Sequence, residues 1–337
     1  VDPVYRMSYN ESPLGPAPSV IAAIRQAAPE LGLYPPMGDE SLRQALAHTL
    51  GRGLSEAHFF TGCSGYEALE FVARAFLRPG QEMIISPPTF EVYRRLAQLQ
   101  GAEVVEVPLH RPNYEPDIAA ILAAITERTR LLLLCNPNNP TGTIMTAEAM
   151  AWLVRELPDH VLLVTDEVYH HFVTRSDFPD SLGYVLAGKP VIVIHTFSKA
   201  YGLAGLRLGY AVASPEIADE VGGLQRAFHQ SRLALAAGLA ALQDQAHLRA
   251  NVQAVVEGRA WLVEQFERLD LPYLPSQTNF IMVQTPGPAQ AIAEALLDWG
   301  VIVRAMPGEL DHWLRVSVSR PEGNRRFIEG LTAQLKG

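Results

Sequence analysis

The chain has 337 residues, 48% of them hydrophobic, and carries 27 basic against 36 acidic side chains for a formal net charge of −9. That length suggests about two domains with ample apolar content for a sizeable core. An acidic balance without basic clusters argues against nucleic acid and anionic membrane as main partners. The two cysteines, Cys63 and Cys135, fall in expected interior segments, so buried free thiols are expected rather than a disulfide framework, in keeping with a reducing cytoplasm. Val1 is not a natural start, so some residues are expected to precede it. No signal-peptide pattern and no apolar run of bilayer length is found.

In chain order, Pro16 and Pro18 open a helix with Ser19 nearby, as prolines do in a first helical turn. This arm, residues 1–32, is expected to pack against the C-terminal domain. Strands are expected at Glu82–Ile85, Val104–Val107, Leu131–Leu134, Val161–Thr165, Val191–Ile194 and Leu208–Val212. They alternate with helices at Glu67–Leu77, Glu91–Gln100, Ala147–Glu156 and Pro215–Phe228. Strands alternating with helices imply an α/β layer around a mostly parallel sheet. Nearly unbroken apolar strands imply burial on both faces, under flanking helices. This large domain is expected over residues 33–230. From about Ser231 the pattern changes to long helices at Leu233–Gln245 and Ala246–Leu269. Then come Phe280–Val283, a helix at Ala289–Trp299, Val301–Arg304, Leu314–Val318 and a final helix from Glu322. Residues 231–337 therefore read as a smaller α+β domain.

The most telling residue is Lys199, one of three lysines in a chain with 24 arginines. Arginine stays protonated at any working pH and cannot replace lysine as a nucleophile. A desolvated lysine can lose its proton and form a Schiff base. Lys199 follows the apolar run Val191–Ile194, among hydroxyls and glycines. Asp166 ends another apolar strand, where α/β sheets bind ligands, although for Asp166 taken alone a turn or N-cap role is the better reading. Cys135-Asn-Pro-Asn-Asn-Pro-Thr-Gly142 is a rigid loop that aims amide side chains. Gly62-Cys-Ser-Gly-Tyr-Glu67 precedes an apolar helix, whose free N–H groups can hold an anion. It is not a Walker A loop, since no Gly-Lys-Ser/Thr follows. Arg207, past a glycine-rich bend, could clamp a phosphate or form a surface ion pair. Arg315, in Trp313-Leu-Arg-Val-Ser-Val-Ser319, suits a carboxylate or a structural salt bridge. Phe90 could stack on a planar ring or fill the core. His170 and His171 belong to no cluster at metal-ligand spacing, so no metal site is expected.

Taken together, these segments resemble the fold-type I pyridoxal-phosphate aminotransferases, and most of all the histidinol-phosphate aminotransferase branch. The matching strings are Asn10-Glu-Ser-Pro-Leu-Gly-Pro16, Tyr34-Pro-Pro, Pro87-Pro-Thr-Phe90, Pro137-Asn-Asn-Pro-Thr-Gly142, Asp166-Glu-Val-Tyr169, Ser198-Lys199, Gly205-Leu-Arg-Leu-Gly209, Pro275-Ser-Gln-Thr-Asn-Phe280 and Leu314-Arg-Val-Ser317. They keep the family's order and span almost the whole chain.

The resemblance implies pyridoxal 5'-phosphate as cofactor, held by Lys199 as a Schiff base, with Lys199 later shuttling the proton. Asp166 would pair with the pyridinium nitrogen and make the ring an electron sink. Tyr169 and Asn139 would bind the phenolic oxygen, and Phe90 would stack on the ring. Gly65, Tyr66, Thr196, Ser198 and Arg207 would bind the phosphate, with Tyr34 reaching it from a second subunit. A cytoplasmic homodimer with shared sites is thus implied. Arg315 would grip the substrate carboxylate, Arg304 a substrate phosphate, and Asn10 would also lie at the substrate.

In such aminotransferases a carboxylate pinned in the ring plane leaves the donor's Cα–H bond beside the lysine. The resemblance thus implies that an amino group would pass to a 2-oxo acid such as 2-oxoglutarate. A carboxylate turned out of plane would instead be lost, as in the related threonine-phosphate decarboxylases. Three departures bear on the donor: the loop Ala305-Met-Pro-Gly-Glu-Leu-Asp-His312, the segment Ala227-Phe-His-Gln-Ser-Arg232, and Tyr66 where the family carries an acid. They leave a histidinol-phosphate-like or an aromatic donor open. A cofactor-binding transcription regulator would add a basic DNA-binding module, which is not seen before Tyr9. A nicotinamide dehydrogenase would need a Gly-x-Gly-x-x-Gly after its first strand, which is also missing.

Overall fold

The computed structural model describes residues 4–336. Its strands are β1 (Tyr5–Arg6), β2 (Phe59–Gly62), β3 (Glu82–Ile85), β4 (Glu103–Glu106), β5 (Thr129–Cys135), β6 (Leu162–Asp166), β7 (Val191–Thr196), β8 (Gly209–Val212), β9 (Phe280–Gln284), β10 (Val301–Ile302), β11 (Arg304–Ala305) and β12 (Trp313–Ser317). Seven of them form the central sheet in the order β2-β8-β7-β6-β5-β3-β4. β8 alone runs antiparallel to its neighbours. The central sheet is mostly parallel with helices on both faces, as the strand and helix alternation implies.

The apolar strands feed two cores because side chains alternate across a sheet. Leu163, Val191 and Val193 enter one cluster. Leu162, Val164, Ile192 and Ile194 enter the other. On the second face lie the helices Gly65–Phe76 and Val92–Leu99, contributing Leu69, Phe71, Tyr93 and Leu96. On the first face lie Met150 and Leu153 of Ala147–Glu156, and Ala234 and Leu235 of Arg232–Gln243. That first cluster continues into Phe280, Leu314 and Phe327, so the sheet β11-β12-β9 shares a core with the central one.

The N-terminal arm joins this second sheet region. β1 pairs parallel with β10, and the helix Pro18–Ala27 packs on Arg232–Gln243. Gly202 shows why the arm fits so closely. Its φ is +72°, and a Cβ there would stand 2.3 Å from the Gly15 carbonyl oxygen.

The structure departs from the expected elements in several places. The strand β2 and the helix Glu40–Leu50 have no counterpart among them. Phe59-Phe-Thr-Gly is too short to show a period, and the helix is largely polar, with only Leu42, Leu46 and Ala47 buried. The helix from Pro215 ends at Gly222, not Phe228, because Gly222-Gly223 cannot hold a helix cheaply. The expected strand Val301–Arg304 is two strands, β10 pairing with β1 and β11 with β12. Cys63 and Cys135 are free, but half-buried rather than buried; Cys135 sits where the end of β5 opens into a cavity.

Candidate active site

The C-terminal ends of β5, β6 and β7 converge on one edge of the sheet. Cys135 is in register with Asp166, and Asp166 with Ile194, just before Thr196. The helix Gly65–Phe76 starts at the same edge, directly after β2. Ser64 caps it by accepting from the Glu67 N–H, and Glu67 accepts in return from the Cys63 N–H. This reciprocal cap holds the helix N-terminus, with its partial positive charge, against the site. Gly209 on β8 lets it approach: a Cβ there would stand 2.2 Å from the Gly65 nitrogen.

These elements and the arm enclose a cavity of about 310 Å³. Of the residues singled out in the sequence, Asn10, Gly65, Tyr66, Phe90, Asn139, Asp166, Tyr169, Thr196, Ser198, Lys199, Arg207 and Arg315 line it. Tyr34 and Arg304 do not. Tyr34 is 80% exposed, its ring 5.0 Å from that of Phe228. Arg304 is exposed on β11, in register with Arg315 on β12.

Three charged groups dominate the cavity. Asp166 is 3% exposed and takes part in no ion pair among the described residues. It accepts only from the Tyr93 hydroxyl at 2.7 Å and the Val168 N–H at 3.3 Å. Burial pushes its carboxyl up to about 6, against the pull of those two donors. The Arg315 guanidinium donates from Nη1 to Asn139 Oδ1 at 2.6 Å and from Nη2 to the Ser8 carbonyl at 2.7 Å. Its buried Nε has no partner, and no carboxylate pairs with it among the described residues. Burial, then the Arg304 charge, lowers its proton affinity. Lys199 Nζ donates to the Tyr9 carbonyl at 3.1 Å and lies 5.7 Å from the centre of the Tyr169 ring. Burial, then Arg315, brings the amine down to about 8. A fraction of Lys199 is therefore neutral and nucleophilic near pH 7.

The polar lining is oriented as well. Asn10, with φ +57°, accepts from Ser317 Oγ and donates from Nδ2 to the Tyr169 oxygen at 3.1 Å. The Tyr169 hydroxyl hydrogen is thereby free to donate into the cavity. Because Asn139 Oδ1 is taken by Arg315, its amide N–H also remains free. Arg207 sits at φ +56°, a left-handed conformation that costs a non-glycine residue about 1–2 kcal/mol. Its Nη1 donates to the Ala204 carbonyl at 2.7 Å. His170 and His171 do not line the cavity; they stack toward His195 behind the sheet.

Sequence reasoning missed Tyr93 and the Tyr9 carbonyl. Tyr93 stands three residues beyond Phe90 at a helix start, a spacing that could have marked it. The Tyr9 contribution is a backbone atom and leaves no trace in residue type.

An amine of lowered pKa, an unpaired buried carboxylate and a half-buried guanidinium without a carboxylate partner, meeting at the carboxyl edge of an α/β sheet, define a Schiff-base enzyme that needs an ionic ligand on both sides. The sequence profile of the family "Aminotransferase class I and II" matches residues 2–331, and the chain belongs to that family. It is 40% identical over 335 residues to the histidinol-phosphate aminotransferase of Moorella thermoacetica, covering 98% of this chain and 85% of that one. The same identity holds over 332 residues to the enzyme of that name from Symbiobacterium thermophilum, covering 98% and 90%. The crystal structure of histidinol-phosphate aminotransferase from Sinorhizobium meliloti in complex with pyridoxal-5'-phosphate superposes with a TM-score of 0.89 at 31% identity, covering 98% of this chain and 92% of that one. The protein is a pyridoxal-phosphate-dependent transaminase acting on small amino and keto compounds. Its cavity fits the cofactor: Asp166 lacks a cation, and a helix N-terminus with Arg207 lacks an anion. Among the described residues no group of side chains could hold a metal ion, and no helix is long and apolar enough to cross a membrane.

Proposed function

We propose that the enzyme moves an amino group from a phosphate-bearing, histidinol-phosphate-like donor to 2-oxoglutarate. The observation that carries this reading is the cross-strand pair Arg304 and Arg315. Directly opposed residues of an antiparallel pair share a face, and like charges there are unfavourable unless an anion joins them. Arg315 reaches the cavity, and Arg304 stands exposed opposite it across the strand pair. Two guanidiniums suit a phosphate dianion better than a lone carboxylate. The names of the relatives point the same way.

Within this reading the cofactor supplies an electron sink for the pair released when the donor's C–H bond breaks. Lys199 forms the covalent link and carries the proton. Asp166 holds the ring nitrogen in its protonated form. Tyr169 and Asn139 donate to the phenolic oxygen, and Phe90 covers one ring face. The N–H groups of Gly65 and Tyr66, with Thr196, Ser198 and Arg207, bind the phosphate. Arg315 takes the carboxylate of the 2-oxo acid, and Asn10 orients Tyr169 beside the substrate. Tyr34 reaches the phosphate held in a second copy of the chain. Leu31, Leu33, Tyr34 and Met37 are all more than half exposed, an apolar stretch that suits burial in a cytoplasmic homodimer.

The test is a donor screen with 2-oxoglutarate, using histidinol phosphate, phenylalanine and threonine phosphate, with carbon dioxide release followed in parallel. Amino transfer is expected to be fastest from histidinol phosphate. Arg304→Gln should raise the KM for that donor about ten-fold and leave phenylalanine unaffected. Preferred use of phenylalanine would favour an aromatic donor, and carbon dioxide from threonine phosphate a decarboxylase.

A further inference from the structure

Tyr93, in the first turn of Val92–Leu99, is completely buried. Its hydroxyl donates to Asp166 Oδ2 at 2.7 Å. Its ring stands edge-on to Phe90, with centroids 5.6 Å apart and planes at 90°. Tyr93 does not itself line the cavity, yet one side chain supports both its buried carboxylate and its aromatic wall. We propose that Tyr93 is a positioning residue for transamination, its hydroxyl fixing the orientation and ionisation of Asp166 and its ring fixing the tilt of Phe90. The proposal rests on the cofactor assignment above.

Asp166 has no cationic partner among the described residues, so burial and two neutral donors set its proton affinity. Burial favours the neutral acid, whereas a hydrogen bond to the charged form favours the anion. The Val168 N–H at 3.3 Å is a long contact, and the phenol at 2.7 Å is the short one. Burial and the facing Asp166 charge hold the phenol's own proton well above its usual range. Tyr93 is therefore a fixed donor and not an acid. Apart from the Cys135 thiol, which also faces the hydroxyl, its surroundings are apolar, with Leu96, Ile85 and Leu133 in the same cluster. Phenylalanine fits there, so Tyr93→Phe removes the hydroxyl and keeps the ring.

The experiment compares Tyr93→Phe, Asp166→Asn and the double variant with the unaltered chain. The cofactor-free proteins are titrated with pyridoxal phosphate, and the pH midpoint of the bound cofactor's visible band is measured. Tyr93→Phe should weaken cofactor binding about ten-fold, the scale of one hydrogen bond to a charged group. It should also raise the band's midpoint, because a less anionic Asp166 leaves less positive charge on the ring to acidify the Lys199 nitrogen. In the Asp166→Asn background the same change should have at most about a two-fold effect, since the two groups act through each other. A midpoint and affinity equal to those of the unaltered chain would overturn the proposal. So would an undiminished effect in the Asp166→Asn background, which would make Tyr93 a packing residue. If the unaltered chain showed no visible band at all, the cofactor assignment would fall, and this proposal with it.

Discussion

Asp166 and Glu167 are neighbours at the end of β6 and equally buried, at 3% and 4% exposed, but they serve opposite faces of the sheet. On the cavity face Asp166, Lys199 and Arg315 have no ionic partner among the described residues. On the other face Glu167 and His195 are held neutral by burial. Glu167 accepts from Thr165 Oγ1 at 3.1 Å and faces His195 Nε2 at 3.7 Å. His195 hydrogen-bonds through Nδ1 with the Tyr210 hydroxyl at 3.1 Å and stacks on His170, which in turn lies 3.9 Å from His171. Burial pushes the Glu167 carboxyl up to about 8 and the His195 imidazole down to about 3, so both are neutral at pH 7. Burial alone thus does not mark a functional group. The distinction lies in whether the chain supplies the partner or leaves it to a ligand.

The contrast between the faces is tested most severely at Lys199. Lys199→Ala should lower turnover by about 10⁴-fold or more, because the nucleophile and the proton carrier are lost together. Steady-state rates check this, and borohydride reduction followed by mass mapping should label Lys199 only in the unaltered chain. A variant turning over near the normal rate would place the chemistry elsewhere.

Arg315→Ala should cost roughly 10²-fold in kcat/KM for the 2-oxo acid, the scale of truncating one member of a buried charge pair. The loss should appear mainly in KM. A chain whose KM was unmoved would show that Arg315 is satisfied by Asn139 and Ser8 alone.

Next in size is a pH effect on Asp166. Its carboxyl is raised from 3.8 to about 6 in the free chain. Only the anion can receive a protonated ring nitrogen, so cofactor affinity should begin to fall below pH about 6, by up to about ten-fold per unit. Equilibrium titration across pH 4.5–8 measures it. A flat profile would mean that the ring nitrogen does not depend on Asp166.

The smallest effect is expected on the histidine face. Folded Glu167 keeps its proton up to about pH 8, whereas unfolded it releases it near 4.5. Its contribution to stability is therefore full below pH 4.5 and lost as pH rises toward 8. Glu167→Gln should remove that slope in the thermal midpoint while leaving turnover within about two-fold. A large loss of activity would join the two faces into one site.

What the sequence disclosed depended on whether a role is tied to residue type within a local string. Lys199, Asp166, Arg207 and Arg315 were legible because Schiff-base and ion-pairing chemistry admits few substitutes, and each sits beside glycines, hydroxyls or a strand end. The alternating apolar runs disclosed β3, β5, β6 and β7 because a strand buried on both faces must be apolar throughout. Phe59–Gly62 and Glu40–Leu50 escaped because one is too short and the other too weakly amphipathic for a period to emerge. The two-way split at Val303, with β10 and β11 in different sheets, depends on partners about 300 and 10 residues away, and no local pattern encodes both.

The family, the layered α/β class and the reactive residue types are thus properties of the sequence, since they follow from composition, period and the chemistry each side chain can perform. Which buried charges lack partners is a property of the folded chain. Folding set Asp166 against Tyr93 and Glu167 against His195, brought the Tyr9 carbonyl to Lys199, and placed Arg304 beside Arg315. Those pairings arise from sheet register and from packing between distant segments, and proton affinity and ligand demand belong to the enclosing surface rather than to the residue alone.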